Sequence, residues 1–312
     1  MCVSLRTGSC ALARGSSWFP PVGDTTRIRV ARCSPLSEMT DLLRRHERLV
    51  TLPELPPEMA DVLTGYACFR VVRSYPVPSQ VYRCVSAGSP TFYLKTATNL
   101  GTERDRLRWL EGRLPVPRVV AYAQGRGQDF VLLTEMPGAP ADCSVWRRDA
   151  RRLVGLLAEG VHAVHSVPTM DCPFDASVDR LLDAAERAVR LGLVDQTSFS
   201  SAYRRITPHD LFKILLRLRP RTDRVVFTHG DCCLPNILIR PGLPAGFVDL
   251  GMAGLGDPHR DLALVAVSIR RNLGGRWVEN FLRAYGLEPD QAKMEFYAIL
   301  SEFAMTRPRG SR

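Results

Sequence analysis

The sequence predicts an α+β fold with two lobes: a small N-terminal antiparallel β-sheet lobe with one helix and a larger, mostly helical C-terminal lobe. Three observations support this prediction. Short apolar runs with strand alternation fill residues 68–136, amphipathic patterns dominate residues 147–303, and the Pro- and Gly-containing stretch EMPGAP separates them. Two lobes joined by a short hinge leave a cleft, and such clefts usually hold small ligands.

The N-terminal lobe is predicted from five strand-like segments and one helix. The strand-like segments are CFRVVRSY, QVYRCVSAG, TFYLKTA, RVVAYAQG and DFVLLTEM. TERDRLRWLEGRL places Leu107, Leu110 and Leu114 at helical spacing, and Thr102 is its predicted N-cap. Upstream, TDLLRRHERL is either the first helix of the folded part or follows an internal start at Met39.

The C-terminal lobe is predicted from amphipathic helical patterns that are interrupted by one loop region. The helical segments are RRDARRLVGLLAEGVHAVHSV, SVDRLLDAAERAVRLGL, HDLFKILLRL, PHRDLALVAVSIRRNL, RWVENFLRAYG and QAKMEFYAILSEF. We therefore expect a β-rich lobe over residues 39–134 and a helical lobe over residues 135–306. Residues 1–38, rich in Ser, Gly, Pro and Arg, are expected to be a disordered extension, and residues 307–312 a basic tail.

Composition excludes several classes of protein. The chain has 312 residues, 45% of them hydrophobic and 24% charged, which fits a globular protein with two cores. It has no run of eighteen apolar residues and no secretory h-region, so we expect a cytoplasmic protein without a membrane partner. Nine scattered cysteines without C-x-x-C spacing indicate reduced, mostly buried thiols. The net charge of +10 comes from dispersed arginines, which attract polyanions in general but indicate no specific nucleic-acid partner.

The stretch VVFTHGDCCLPNILIRPGLPAGFVDLG carries the clearest chemical signal. Asp231 and Asn236 form the pattern D-x-x-x-x-N, and Asp249 follows the strand AGFVD. Phosphoryl transfer needs a carboxylate aimed at the accepting hydroxyl and oxygen ligands for Mg²⁺, which an asparagine and a second aspartate supply. Each residue taken singly could merely cap a turn or a helix, but together they predict a site that uses ATP and Mg²⁺, with Asn236 and Asp249 as metal ligands. His229 is expected to stabilise the loop by hydrogen bonds.

A cation for the phosphates is predicted in the β-rich lobe. Lys95 is the only lysine there, and it lies in the middle of the apolar strand TFYLKTA. Glu103, at the start of the next helix, can pair with it and fix its direction. The alternative is an exposed strand lysine and a solvated glutamate. The connection SYPVPSQVYR is the predicted cover for the triphosphate, through Ser79 and Gln80, although it has no glycine-rich pattern.

Several motifs resemble the aminoglycoside 3'-phosphotransferases, a family with the protein-kinase fold. They are FYLK, WLEGRLPVPRVV, HSVPTMDCPF, FTHGDCCLPNILI and GFVDLGMAGLGDPHRDLALVAVSIRRN, which occur in order over residues 66–303. The resemblance implies ATP-dependent phosphorylation of an antibiotic hydroxyl, with Asp231 as the catalytic aspartate. It also implies that the backbone of Thr134, Glu135 and Met136 meets adenine, and that Asp261 braces the catalytic loop.

The chain departs from this family where the substrate should bind. Aminoglycosides are polycations, so the family lines its acceptor pocket with carboxylates. Here Asp195 remains in VDQTSFSSAYRR, and Glu302 remains near the C-terminus, so both are candidate substrate residues. Thr197, Ser200 and Arg271 stand where acids are expected. Two alternatives follow: a kinase of the same fold for another hydroxylated small molecule, or a nucleotide-binding regulator without transfer activity. The intact set of candidate catalytic residues argues against the regulator.

Two other groups of residues are expected to be structural. His162 and His165 lie three apart on a helix without a third metal ligand, so we expect core or capping histidines. Cys232 and Cys233 lie beside Asp231 but match no motif of a nucleophilic cysteine.

Overall fold

The computed structural model of the protein describes residues 47–71 and 79–304. Within these residues, six antiparallel strands form one sheet in the order β1-β2-β3-β4-β6-β5. The strands are β1 (Glu47–Leu49), β2 (Ala67–Val71), β3 (Gln80–Val85), β4 (Phe92–Ala97), β5 (Val119–Gly125) and β6 (Gln128–Thr134). Two helices accompany them, α1 (Pro57–Val62) and α2 (Gly101–Leu110). The five predicted strands are confirmed, while the prediction of a single helix missed α1.

The predictions for the N-terminal part are tested only in part. TDLLRRHERL was one candidate for the first helix, but its last three residues form β1, which pairs with Phe69 to Val71 of β2. The rest of that segment, the extension at residues 1–38 and the tail at residues 307–312 lie outside the described residues. So do residues 74–78 of the proposed phosphate cover.

Helix α2 begins differently from the prediction. Thr102 is not the N-cap, because the helix already begins at Gly101 and the capping position is Leu100, whose side chain has no polar atom. The Asp129 carboxylate at the start of β6 supplies the cap instead. Its Oδ2 accepts hydrogen bonds from the backbone N–H of Leu100 at 2.7 Å and of Gly101 at 3.2 Å. A residue distant in sequence therefore satisfies the free N–H groups of the helix that carries Glu103.

Replacing Asp129 with alanine is expected to destabilise the protein by about 1–2 kcal/mol, because a helix loses its cap and a buried N–H loses its acceptor. Urea denaturation measures the change. Asp105→Ala on the exposed face of the same helix is the matched control and should stay within about 0.5 kcal/mol of the wild type. Equal effects of the two substitutions would contradict the capping role.

The larger lobe contains the predicted helices and two small β-structures. The helices are α3 (Ala150–His165), α4 (Val178–Arg190), α5 (Pro208–Arg217), α6 (His259–Asn272), α7 (Arg276–Tyr285) and α8 (Gln291–Glu302). The short strands are β7 (Ala139–Pro140), β8 (Val226–Thr228), β9 (Ile237–Ile239), β10 (Gly246–Phe247) and β11 (Gly254–Gly256). β9 pairs with β10 and β7, and β8 pairs with β11. No helix among the described residues is long and apolar enough to cross a membrane.

One apolar cluster joins the two lobes. It includes Leu110 of α2, Val131 of β6, Leu157 of α3, Phe227 of β8 and Phe247 of β10, all fully buried. Burial of each such side chain contributes about 2 kcal/mol. Since β8, β9 and β10 flank the loops that carry the candidate catalytic residues, this packing fixes where those loops begin and end.

Candidate active site

The loop between β8 and β9 holds Asp231 and Asn236 against each other. The Asn236 amide Nδ2 donates to the Asp231 backbone oxygen and to its carboxylate Oδ2, both at 2.9 Å. A 3₁₀ turn over Leu234–Asn236 creates this contact by folding the asparagine back. Burial raises the pKa of the Asp231 carboxyl, and the nearby Asp249 charge raises it further. The D-x-x-x-x-N spacing thus produces one hydrogen-bonded unit with a largely buried carboxylate.

Asp249 lies just after β10 and close to this unit. The Val248 N–H donates to the Asn236 backbone oxygen at 3.1 Å, so the two loops are tied together. Asp249 has a φ of +63°, in the left-handed region that non-glycine residues rarely adopt. Backbone strain of this kind concentrates at functional sites, which agrees with a site at Asp249.

Lys95 connects the N-terminal sheet to these loops. It lies in β4, in the interior of the sheet, where it is opposite Val81 of β3 and Val131 of β6. Its Nζ donates to Glu103 Oε2 at 2.7 Å and also to Asp249 Oδ1. The predicted Lys95–Glu103 pair is confirmed, whereas the contact with Asp249 was not predicted. Burial lowers the pKa of Lys95, but its two carboxylate partners outweigh this and raise it, so the cation is retained.

Asp261 braces the loop that carries Asp231, as the resemblance implied. It lies in the first turn of α6 with no exposed surface, and it accepts from the N–H of His229 at 2.7 Å and of Gly230 at 2.9 Å. His165 Nε2 lies 3.2 Å from the same carboxylate, and its Nδ1 lies 2.7 Å from the Tyr285 hydroxyl. His165 is therefore a core histidine, as predicted.

His229 makes the loop-stabilising contacts that the sequence predicted. Its Nε2 lies 3.0 Å from the Val248 backbone oxygen, and its Nδ1 accepts from the Asp231 N–H at 3.3 Å. The imidazole thus links the loop of Asp231 to the strand that leads to Asp249.

Gly230 is the most constrained glycine of the loop. Its φ is +83°, and a Cβ at this position would lie 2.3 Å from the Met252 backbone oxygen and 2.8 Å from an Arg260 guanidinium nitrogen. Only glycine therefore fits at position 230, where the backbone turns before Asp231.

Gly230→Ala is expected to destabilise the protein by more than about 2 kcal/mol, since it combines a left-handed φ with overlap against backbone. Gly192→Ala is the control, because Gly192 also has a positive φ but a Cβ there would meet nothing within 4 Å. Thermal melts of the two variants separate the effects. If both variants lose the same stability, close packing at Gly230 is not the cause.

Two contacts of α6 with neighbouring loops were missed by sequence reasoning. Arg260 is buried, and its guanidinium donates to the Met252 backbone oxygen at 3.2 Å. Ser268 Oγ accepts from the Leu234 N–H at 3.1 Å. Ser268 lies seven residues after Asp261, a spacing that places both on one helix face. Polar residues repeating on an otherwise apolar face were the available signal.

The segment predicted to meet adenine begins at Thr134, the last residue of β6. The Thr134 N–H donates to the Arg118 oxygen at 3.0 Å, and the Glu135 N–H donates to the Thr91 oxygen at 3.3 Å. The Met136 side chain lies over Gly246 of β10, where an added Cβ would be 2.8 Å from its Cγ. Two of the three predicted backbone donors are therefore already bonded within the protein. Ser79 is half-buried just before β3, next to the residues that are not described.

The two candidate substrate carboxylates both contact the segment of residues 195–200. Asp195 caps the turn Gln196–Ser198 by accepting from the Thr197 N–H at 3.1 Å and from its hydroxyl at 2.8 Å. Glu302 Oε2, at the end of α8, accepts from the Ser200 N–H at 2.9 Å. Both acids therefore shape residues 195–200, and their contact with a substrate stays a prediction.

The chain is similar in sequence to known phosphotransferases. Residues 83–297 match the APH phosphotransferase enzyme family. The chain is 35% identical over 223 residues to an aminoglycoside 3'-phosphotransferase of Niallia circulans, covering 69% of this chain and 84% of that relative. It is also 35% identical to a streptomycin 3''-kinase of Streptomyces griseus, covering 65% of this chain and 79% of that protein.

Solved structures show the same fold. A type VIII aminoglycoside-3'-phosphotransferase superposes with a TM-score of 0.68 at 30% identity, covering 76% of this chain and 93% of that one. The aminoglycoside phosphotransferase APH(3'')-Id of Streptomyces rimosus superposes with a TM-score of 0.68 at 28% identity, covering 87% and 99%. The predicted protein-kinase-like α+β fold is thereby confirmed. With the match over most of its length and the cluster formed by Lys95, Asp231, Asn236 and Asp249, this chain belongs to the APH phosphotransferase enzyme family.

Proposed function

We propose that the protein transfers the γ-phosphoryl group of ATP to a hydroxyl of an aminoglycoside antibiotic, the 3'-hydroxyl in the first instance, and so confers resistance. The observation that carries this proposal is the contact of Lys95 with both Glu103 and Asp249, beside the bonded pair Asp231 and Asn236. A buried cation that can bind phosphates thus lies near a positioned carboxylate that can bind the acceptor. Phosphoryl transfer needs little more than such positioning and charge stabilisation.

Asp231 has the role of orienting the acceptor hydroxyl and accepting its proton. Asn236 holds this carboxylate in place through its amide, and Asp261 and His229 hold the backbone behind it. Lys95, steadied by Glu103, binds the phosphates of the nucleotide. Ser79 contacts the triphosphate at the edge of β3. The backbone of Thr134, Glu135 and Met136 borders the adenine. Among the described residues the Met136 N–H has no acceptor within the protein, so it is the donor assigned to adenine.

The residues also fit a magnesium ion bound with the nucleotide. The Asn236 amide nitrogen donates to Asp231, which leaves the amide oxygen of Asn236 as a ligand for the metal ion. Asp249 supplies a carboxylate. The described residues contain no group of three His, Cys, Asp or Glu side chains that could hold a metal alone. One amide oxygen and one carboxylate are the donor set expected for Mg²⁺, which is usually held by one or two carboxylates plus waters and phosphates. The ion would neutralise negative charge on the phosphates during transfer.

The acceptor is a small molecule, and neither a membrane nor a specific nucleic acid is part of the proposal. A second candidate is the 3''-hydroxyl of a streptomycin-like acceptor. It is favoured by a relative named streptomycin 3''-kinase and by the 3'' phosphotransferase of Streptomyces rimosus, whose structure with ADP and streptomycin superposes with a TM-score of 0.63 at 26% identity. Thr197 and Arg271, neither of them acidic, also suit an acceptor other than the most highly charged aminoglycosides. A cytoplasmic location belongs to the same proposal, since ATP is found there.

ADP release by the purified protein tests these assignments. The panel contains an aminoglycoside, its 3'-deoxy analogue and streptomycin, each with Mg·ATP. Turnover confined to the compound with a 3'-hydroxyl is the expected result, whereas turnover confined to streptomycin supports the second candidate. If none of the three compounds stimulates ADP release while the protein still binds Mg·ATP, the proposal of an antibiotic substrate is overturned. That result leaves either a different hydroxylated acceptor or a nucleotide-binding regulator.

A further inference from the structure

Two cysteines of the N-terminal sheet lie directly opposite each other. Cys68 of β2 and Cys84 of β3 are register partners in this antiparallel pair. Their sulfur atoms are 2.7 Å apart, with the Cys68 thiol as donor. Both side chains are buried, Cys68 with 5% and Cys84 with 0% of its surface exposed. They belong to the apolar cluster that also contains Met59, Leu94 and Leu132.

The backbone geometry suits a bond between them. Opposite residues of antiparallel strands have Cα atoms about 4.5 or 5.5 Å apart, depending on the type of pair, and disulfides accept Cα separations of about 4.4–6.8 Å. Because both side chains point to the same buried face, no strand has to rotate or slide. The other described cysteines are Cys143, Cys172, Cys232 and Cys233. Cys143 and Cys172 lie between secondary-structure elements or in turns, and no strand register pairs either of them with another cysteine.

We infer that Cys68 and Cys84 are a modification site that forms a reversible intramolecular disulfide. A small-molecule disulfide such as oxidised glutathione is the oxidant. Two S–H bonds break, one Sγ–Sγ bond forms, and the oxidant takes up the two protons and two electrons as two thiol molecules.

The position of the pair gives the bond a structural effect. Cys68 and Cys84 are opposite each other in β2 and β3, so the bond would close the chain between residues 68 and 84 into a ring and so restrict the unfolded state. Burial raises the pKa of both thiols and so slows their oxidation in the folded protein. The thiols react faster when the two strands separate and expose them.

Peptide mapping tests the bond without any assay of activity. Trypsin cleaves after Arg48, Arg70, Arg83 and Lys95, so residues 49–70 contain Cys68 as their only cysteine and residues 84–95 contain Cys84 as theirs. The full-length protein is refolded from the reduced, unfolded state in a glutathione redox buffer, so that burial does not limit access. It is then alkylated, digested and analysed by mass spectrometry.

The expected result is a linked pair of peptides 49–70 and 84–95 that disappears on reduction. It should be absent from Cys68→Ser and Cys84→Ser but retained in the control Cys172→Ser. Oxidised wild type should also melt at a higher temperature than reduced wild type, with no such rise in Cys84→Ser. The inference is overturned if Cys84 is recovered alkylated or bound to glutathione, or if Cys68 pairs with other cysteines as often as with Cys84. Both readouts are independent of whether the protein phosphorylates an aminoglycoside.

Discussion

Asp231→Asn is expected to lower kcat for phosphoryl transfer by on the order of 10³-fold while ATP affinity changes by less than about threefold. The substitution keeps the shape of the side chain but removes the oxygen charge that accepts the hydroxyl proton. The phosphate contact assigned to Lys95 and the metal contact assigned to Asp249 are expected to remain, because Lys95 is held by Glu103 and Asp249. Steady-state ADP release and titration with a nucleotide analogue measure the two quantities.

A surface variant serves as the control for Asp231→Asn. Asp183 is an exposed carboxylate on α4, and Asp183→Asn should keep wild-type kcat. The melting temperature of each variant shows whether the fold is retained. A kcat for Asp231→Asn within tenfold of wild type, in a folded protein, would remove Asp231 from the role of base and would point to another group near the acceptor.

Asp261→Ala is expected to destabilise the protein by about 3 kcal/mol or more. The carboxylate has no exposed surface, and its removal leaves the N–H groups of His229 and Gly230 without their acceptor and His165 without its partner. Each buried polar group left unsatisfied costs about 1–3 kcal/mol. For a protein of this size, the loss corresponds to a fall in Tm of roughly 6–12 °C. The Asp183→Asn variant is again the control and should melt with the wild type.

The pH dependence of stability distinguishes the charge of Asp261 from its volume. Burial raises the pKa of this carboxyl, but hydrogen bonds from His165 and Gly230, with the nearby His165 and His229 rings, outweigh burial and lower it. Since the folded-state pKa lies below the unfolded one, the stabilisation is fully present above the unfolded pKa. It is lost as the pH falls through the folded pKa. Asp261→Asn should therefore lose least stability, relative to wild type, at the most acidic pH. A constant difference across the acid range would contradict a role for the charge.

Local pattern predicted the secondary structure well but placed the start of α2 wrongly. Periodicity of apolar residues identifies helices and strands because each element must bury one face. Thr102 looked like the cap because a threonine precedes the apolar helical repeat. The actual cap is Asp129, which only the pairing of β4 with β6 brings to the start of the helix. A cap from another strand has no local sequence signal.

The contacts of the candidate site are likewise either local in sequence or long-range. The spacing of Asp231 and Asn236 is short enough that one turn decides their contact, so the sequence alone indicated the unit that the structure contains. Lys95 and Asp249 are 154 residues apart, and their contact depends on how the N-terminal sheet packs against the helical lobe. Asp195 and Glu302 looked equally available from the sequence. Asp195 accepts from the Thr197 N–H within its own turn, whereas the tertiary structure brings Glu302 to the Ser200 N–H.

By itself, the sequence determined the types of the elements, their order and the chemical kind of the site, because periodicity and short motif spacing act within one or two turns of chain. Only the tertiary structure decided that Asp249 meets Lys95, that Asp129 caps α2 and that Glu302 bonds to Ser200. Those contacts join residues that are tens to more than a hundred positions apart, and the packing of the shared apolar cluster brings them together.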